Sequence, residues 1–194
     1  MKKVILFIVT VCLFGILSSC SLKLQKDEPY KGVALDPHEN MTAWEFLQSR
    51  PDLFASMSDA LVLCGVDQYY KQTSTKYTFL PFVEEAIKPN LDAVKADPSL
   101  IPALKDTLMF HIIKGEYHGY GTLDYSVKYV ETLLGGDDVM SMTLYKNQGA
   151  EVNIDRVQLM TDCGSSSIVY SIGCNHLCTN GPVHVMGSKC IYVK

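Results

Sequence analysis

The character of this chain changes at Gly115, from mostly helical to mostly strand period, and that switch limits the folds open to it. Before it, Trp44, Leu47, Phe54, Met57, Leu61 and Cys64 recur at helical spacing, as do Leu91, Val94, Leu100, Leu104 and Leu108. Thr42, followed three residues later by Glu45, has the form of a capping box. Pro51 splits this first helical stretch in two, and Gly65 fits its stop. "KYTFLPF" reads as a short buried strand ended by Pro81, with a helix following around Val83–Ile87. After Gly115, tyrosines, glycines and β-branched residues dominate. "KYVETLLGG", "VMSMTLYKN", "AEVNIDRVQLM", "SSIVYSI" and "PVHVMGSKCIYV" read as strands divided by Gly, Asn and Asp. Helices first and strands mostly later predict an α+β fold, not an alternating one.

The first residues do not belong to that pattern. "MKKVILFIVTVCLFGILSSC" carries Lys2 and Lys3 ahead of an apolar run from Val4 to Leu17. A membrane span takes about 20 apolar residues, so residues 1–19 read as a secretion signal. Leu17-Ser18-Ser19-Cys20 resembles the lipobox of bacterial lipoproteins. That resemblance implies cleavage before Cys20 and acyl chains on it, each buried methylene adding about 0.8 kcal/mol of membrane affinity. Residues 20–40 then read as a lipid-anchored linker, too polar to order itself. Its Lys26-Asp27-Glu28 cluster resembles the surface-export signal of Bacteroidetes lipoproteins, and it also reads as plain solvated linker. The expected location is the outer membrane, facing the cell surface, with a periplasm-facing anchor as the alternative.

Residues 41–194 suffice for one domain with its own core. Without Lys2 and Lys3, 15 basic residues face 21 acidic ones, a net charge of −6. No basic block is present, which argues against a nucleic-acid partner. Setting aside Cys12 and Cys20 leaves Cys64, Cys163, Cys174, Cys178 and Cys190, an odd number, so at least one thiol is unpaired within the chain.

Six segments in order resemble a fasciclin-type domain over nearly all of residues 41–194. They are "MTAWEFLQSRPDLFASMSDALVLCGV", "TFLPFVEEAI" with Phe79 and Pro81, "LMFHIIKGEY" with His111, "VETLLGG" with Thr132, "VNIDRVQ", and "TNGPVHVMGSKCIYV" with Asn180, Gly181 and His184. The resemblance implies a wedge of two β-sheets with helices packed on it. It further implies adhesion or ligand binding at a cell surface, no enzymatic activity and no cofactor. Three departures stand out: Phe82-Val83 replaces a polar helix entry, Phe110 stands in place of a tyrosine, and 161–178 is longer and richer in cysteine. That last stretch is expected to be an elaboration of this chain's own.

His111, among Met109, Phe110, Ile112 and Ile113, is expected to be buried and hydrogen-bonded. Asn180-Gly181 supplies a turn and Pro182 begins a strand, with His184 and Met186 on one face. The resemblance gives His184 the part of a brace for that strand. A Cys/His catalytic pair would need an orienting third group, and none is legible. Cys174, His176 and Cys178 alternate, so in an extended strand they would share one side. With Cys163 or Cys190 they could form a disulfide or remain buried thiols, and with Cys163, Cys190 or His184 as a fourth ligand they could form a zinc site. Glu84-Glu85 and Asp137-Asp138 fit a solvated helix face and a turn. Tyr117, His118, Tyr120 and Tyr125 lie among glycines and are the candidate ligand surface, by stacking on sugar rings or anchoring an extracellular protein. The alternative is ordinary half-buried strand tyrosine.

Overall fold

The computed structural model describes residues 36–135, 139–145, 156–161 and 169–188. Its first helix, α1 (Ala43–Ser49), begins at the capping box expected from the sequence: the Glu45 N–H donates to Thr42 Oγ1 at 3.2 Å, and the Thr42 N–H donates to the Glu45 carboxylate at 2.7 Å. Pro51 opens α2 (Pro51–Leu63), at the helix position where a missing N–H costs nothing. α2 turns Phe54, Met57, Ala60 and Leu61 inward. It ends in a Schellman motif: the Val66 N–H reaches the Leu61 carbonyl at 2.9 Å, the Gly65 N–H reaches Val62 at 3.1 Å, and Gly65 takes φ +66°.

After α3 (Asp67–Lys71) comes β1 (Tyr77–Phe79) and then α4 (Glu84–Ala96). The sequence suggested a shorter helix, around 83–87. The helix runs on because Ile87, Leu91 and Val94 form one buried stripe across Pro89. Its N-cap, Val83, has no side-chain bond, as the missing polar entry implied. Ser56 of α2 secures this end, donating its N–H and hydroxyl to the Glu84 carboxylate at 2.9 and 2.6 Å. Those bonds hold the Glu84 carboxyl below the usual carboxylate range. α5 (Ile101–Phe110) follows a single tight turn at Pro98–Leu100.

The remaining strands are β2 (Ile112–Lys114), β3 (Lys128–Glu131), β4 (Val139–Tyr145), β5 (Arg156–Thr161), β6 (Val169–Cys178) and β7 (Gly181–Met186). Their order is β2-β1-β7-β6-β5-β4-β3. β1 and β7 run parallel, pairing at Phe79 and Val183, and every other neighbouring pair is antiparallel. β6 links the two halves: Val169 and Tyr170 pair with β5, and Ser171 to Cys178 pair with β7. Thr132 bridges to Ile113, and the Leu133 N–H donates to Ile112 at 2.8 Å, so the chain leaving β3 meets β2. The fold is therefore α+β with a mixed sheet, as the change of period predicted. One core joins the helices to the sheet, through Phe46, Leu61, Tyr70, Phe79, Phe82, Phe110 and Val183 among others.

Two expectations change. Residues 169–178 are no appended elaboration, because they form a strand in the middle of the sheet order. The linker expected over 20–40 is shorter at its C-terminal end. There the Leu177 N–H donates to Pro37 at 2.8 Å and the Glu39 N–H donates to Leu177 at 2.9 Å, which adds residues 37–39 to the edge of β6.

Candidate functional site

The site begins with a buried histidine. His184 on β7 is fully enclosed. Its Nδ1 accepts the Asn175 N–H at 3.1 Å, and its Nε2 lies 2.8 Å from the Tyr117 carbonyl. A carbonyl can only accept, so the ring proton sits on Nε2 and donates to Tyr117. Both nitrogens are then satisfied only in the neutral ring. Burial pulls the pKa down to about 4, partly opposed by the bond to Tyr117. The sequence reading made His184 a brace for its own strand. The structure adds a longer reach, from β7 through β6 to the loop after β2.

Two more buried polar groups grip the same loop. The Thr78 hydroxyl donates to the Gly115 carbonyl and accepts the Tyr117 N–H, both at 2.8 Å. The Asn175 side chain accepts the Gly119 N–H at 2.7 Å. Asn175 reaches it from a bulge in β6, where it takes the left-handed φ of 63° that asparagine tolerates. Beyond these anchors the loop closes on itself: the Thr122 and Leu123 N–H groups both donate to the His118 carbonyl, at 3.1 and 2.9 Å.

On this frame the candidate ligand residues divide. Tyr117 is half-buried, its ring set against Gly115 and the core. His118 is also half-buried, and its Nδ1 accepts the Tyr120 N–H at 3.3 Å. Tyr120 is 57% exposed and Tyr125 62% exposed. Tyr129, which the sequence reading did not single out, is the most exposed at 67%. It stands on β3 opposite Ser141, and Val127 shares its exposure. Alternation along "VKYVE" was the signal that could have found it, since Val130 turns inward and its neighbours outward.

The family-motif residues act as fasteners. Asn180 is wholly buried: its Oδ1 accepts the Ala43 N–H at 2.8 Å, and its Nδ2 donates to the Tyr70 and Gln72 carbonyls at 2.8 and 3.0 Å. One side chain thus ties the start of α1 and the end of α3 to the β6–β7 turn. Gly181 takes φ +133°, and a Cβ there would lie 1.8 Å from the Tyr77 carbonyl oxygen. His111 donates from Nδ1 to the Thr107 carbonyl at 2.8 Å and meets the Phe82 ring at 4.6 Å. Phe79 packs on Tyr70 at 4.5 Å, Thr132 is buried beside Ile113, and the Pro81 carbonyl accepts the Met186 N–H at 2.8 Å. Phe110 is fully buried.

The cysteine-rich stretch does not keep the one-sided alternation of a regular strand. Register shifts between Ser171, Gly173 and His176 break it. Cys178 is a buried free thiol whose pKa burial pushes up to about 12, with the Glu39 and Glu45 carboxylates adding to the shift. The sulfur of half-buried Cys174 lies 3.3 Å from Asn175 Nδ2. His176 turns toward Glu39, with Nδ1 3.3 Å from its carboxylate, and its ring rests on Phe46 at 4.8 Å. Among the described residues no three His, Cys, Asp or Glu side chains converge as metal ligands. Cys163 and Cys190 lie outside the described residues, as do Asp137-Asp138. Cys64 is a buried free thiol on α2's inner side, its pKa raised by burial. Glu84 lies against Ser56, and Glu85 is exposed.

A cleft of about 390 Å³ separates the α1–α2 corner from the bulged part of β6. Phe46, Leu53, Phe54 and Val185 wall it, with Arg50 and His176 among its polar groups. No sequence pattern marked it, because its residues come from five separate segments.

The architecture defines a class: a mixed-sheet α+β domain whose buried polar side chains fasten its loops. Within that class the chain has the FAS1 fold. Its structure is similar to a FAS1 domain pair from the insect cell adhesion molecule fasciclin I, with a TM-score of 0.53 and 15% sequence identity. The match covers 78% of this chain and 51% of that one, so this chain spans about half the length of that pair. No family model matches the sequence. No curated protein matches it either.

Proposed function

We propose that this chain is a lipid-anchored envelope protein that binds an extracellular protein or polysaccharide through the tyrosines of residues 117–129. The observation that carries this reading is the contrast within that segment. Its backbone is held at Tyr117 and Gly119 by three buried polar residues, His184, Thr78 and Asn175, and at Tyr129 by the β3–β4 ladder, while Tyr120, Tyr125 and Tyr129 project outward. A tyrosine on a fixed backbone loses little entropy on binding and offers both an apolar face and a hydroxyl. The anchor is Cys20, with the outer membrane as its site and the cell surface as its face.

A second reading, glycan capture for an outer-membrane nutrient-uptake complex, rests on the same exposed rings, whose faces suit sugar stacking. Probing glycan and extracellular-protein arrays with the lipid-free mature chain separates the two. Selective protein signals favour adhesion over glycan capture, glycan signals fit either reading, and the absence of both would refute a binding role. Replacing Cys20 with serine should move the protein from the membrane to the soluble fraction; an unchanged membrane fraction would remove the anchor from the proposal.

A further inference from the structure

The 390 Å³ cleft beside β6 contains no residue of 117–129 and falls within the size range of small-molecule sites. The cleft is open where Gly173 has no side chain: a Cβ there would sit 3.6 Å from His176 Nε2 and 3.7 Å from the Val185 side chain. Its walls are apolar, with Phe46 and Phe54 facing Val185.

Two polar groups stand at separate points along it. The His176 imidazole rests on Phe46 at 4.8 Å. The Glu39 carboxylate can only accept, so in the neutral ring it holds the proton on Nδ1, which leaves the Nε2 lone pair turned toward Gly173. Arg50 stands at the corner between α1 and α2, past the end of the helix that carries Phe46, and lines the same cleft. Its contacts with Asp52, at 3.4 and 3.5 Å, are at the limit of hydrogen bonding and leave guanidinium donors for another acceptor. Glu39, the one carboxylate in the lining, accepts from the His176 Nδ1 and so stands at the imidazole end of the cleft. Arg50, at the other end, is the one cationic side chain of the lining and the group there with donors to offer a carboxylate.

We propose that the cleft binds an aromatic carboxylic acid with a hydroxyl at its far end. The carboxylate pairs with Arg50, the ring packs against Phe46, Phe54 and Val185, and the hydroxyl donates to His176 Nε2. A free carboxylate is preferred to its ester, because only the charged group takes the paired donors of a guanidinium.

Titration calorimetry or ligand-observed NMR on the full mature chain tests this with para-hydroxyphenylpropionate, phenylpropionate and the methyl ester of the first. The first acid should bind saturably, and each of the other two about tenfold more weakly. Arg50→Gln should erase the preference for acid over ester. Gly173→Leu should abolish binding by filling the space, since its Cβ meets only ordinary contacts and its φ is not in the left-handed region. Arg50 is an exposed position, so that variant remains informative if Gly173→Leu loses stability. Failure of para-hydroxyphenylpropionate to bind at millimolar concentration would overturn the proposal. So would binding that both variants leave unchanged. Alanine at Tyr120, Tyr125 and Tyr129 should leave this binding intact, which keeps the cleft and the tyrosine surface separately testable.

Discussion

Asn180 offers the sharpest test of how this fold is fastened. Its amide makes three buried bonds, to the Ala43 N–H and the Tyr70 and Gln72 carbonyls. These are helix-end groups, with no partner inside α1 or α3. Asn180→Ala leaves a donor and two acceptors without that partner, and each buried orphan costs about 1–3 kcal/mol. The three share one side chain, so their costs overlap, and a loss of about 4 kcal/mol is expected. For a domain of this size that lowers the melting temperature by roughly 8–16 °C. Asn180→Asp makes the test specific. A carboxylate keeps the Ala43 bond but places an acceptor against two carbonyls in a dry site, so it should be at least as damaging as alanine. Urea denaturation at neutral pH, with thermal melts alongside, measures both variants. A loss below about 1 kcal/mol for alanine, or an aspartate variant more stable than the alanine one, would refute the fastening role.

Three further outcomes follow from single residues. Gly181→Ala places its Cβ 1.8 Å from the Tyr77 carbonyl oxygen at a φ of +133°, and expression should yield little folded protein. A normal circular-dichroism melt would contradict that. His184 keeps its proton off until about pH 4, whereas the unfolded chain takes one up near 6.5. Between those values the unfolded state binds more protons, so stability falls as pH drops through this window, by about 3 kcal/mol in total. Urea midpoints measured from pH 7 to pH 4.5 should show this decline in the wild type and lose most of it in His184→Gln. Cys178 and Cys64 should resist alkylation in the folded protein and react on unfolding, because burial holds both thiols protonated. Peptide mapping after brief iodoacetamide treatment reads this directly, and rapid native labelling of Cys178 would disprove its burial.

Local chemistry was legible in the sequence wherever neighbours in the chain are neighbours in space. The Thr42–Glu45 box, the Pro51 helix start and the Gly65 stop each rest on contacts within a few residues. The run of helical period followed by strand period gave the fold class for the same reason. Contacts across long separations did not show. Asn180 reads as a turn residue, yet its amide serves helices more than 100 residues away. The resemblance implies a brace at His184 but nothing local points to its partner at Tyr117, 67 residues distant. The bulge at Gly173–Asn175 defeated the simple alternation of Cys174, His176 and Cys178, since a register shift turns side chains to other faces. Tyr120 was visible as a loop aromatic among glycines. Whether its loop was fixed depended on Thr78, Asn175 and His184 converging on it from three strands.

The proposal that the protein binds through an ordered tyrosine surface is tested most directly by one comparison. The lipid-free mature chain and its Tyr120→Ala/Tyr125→Ala/Tyr129→Ala variant are applied to the same glycan and extracellular-protein arrays, with thermal melts as the control for folding. The three rings are exposed and carry no core packing, so the variant should melt as the wild type does. Each exposed aromatic anchor is worth about 1 kcal/mol or more at an interface, and the variant's binding should fall at least about tenfold. Undiminished binding by a fully folded variant would place the ligand surface elsewhere and contradict the proposal.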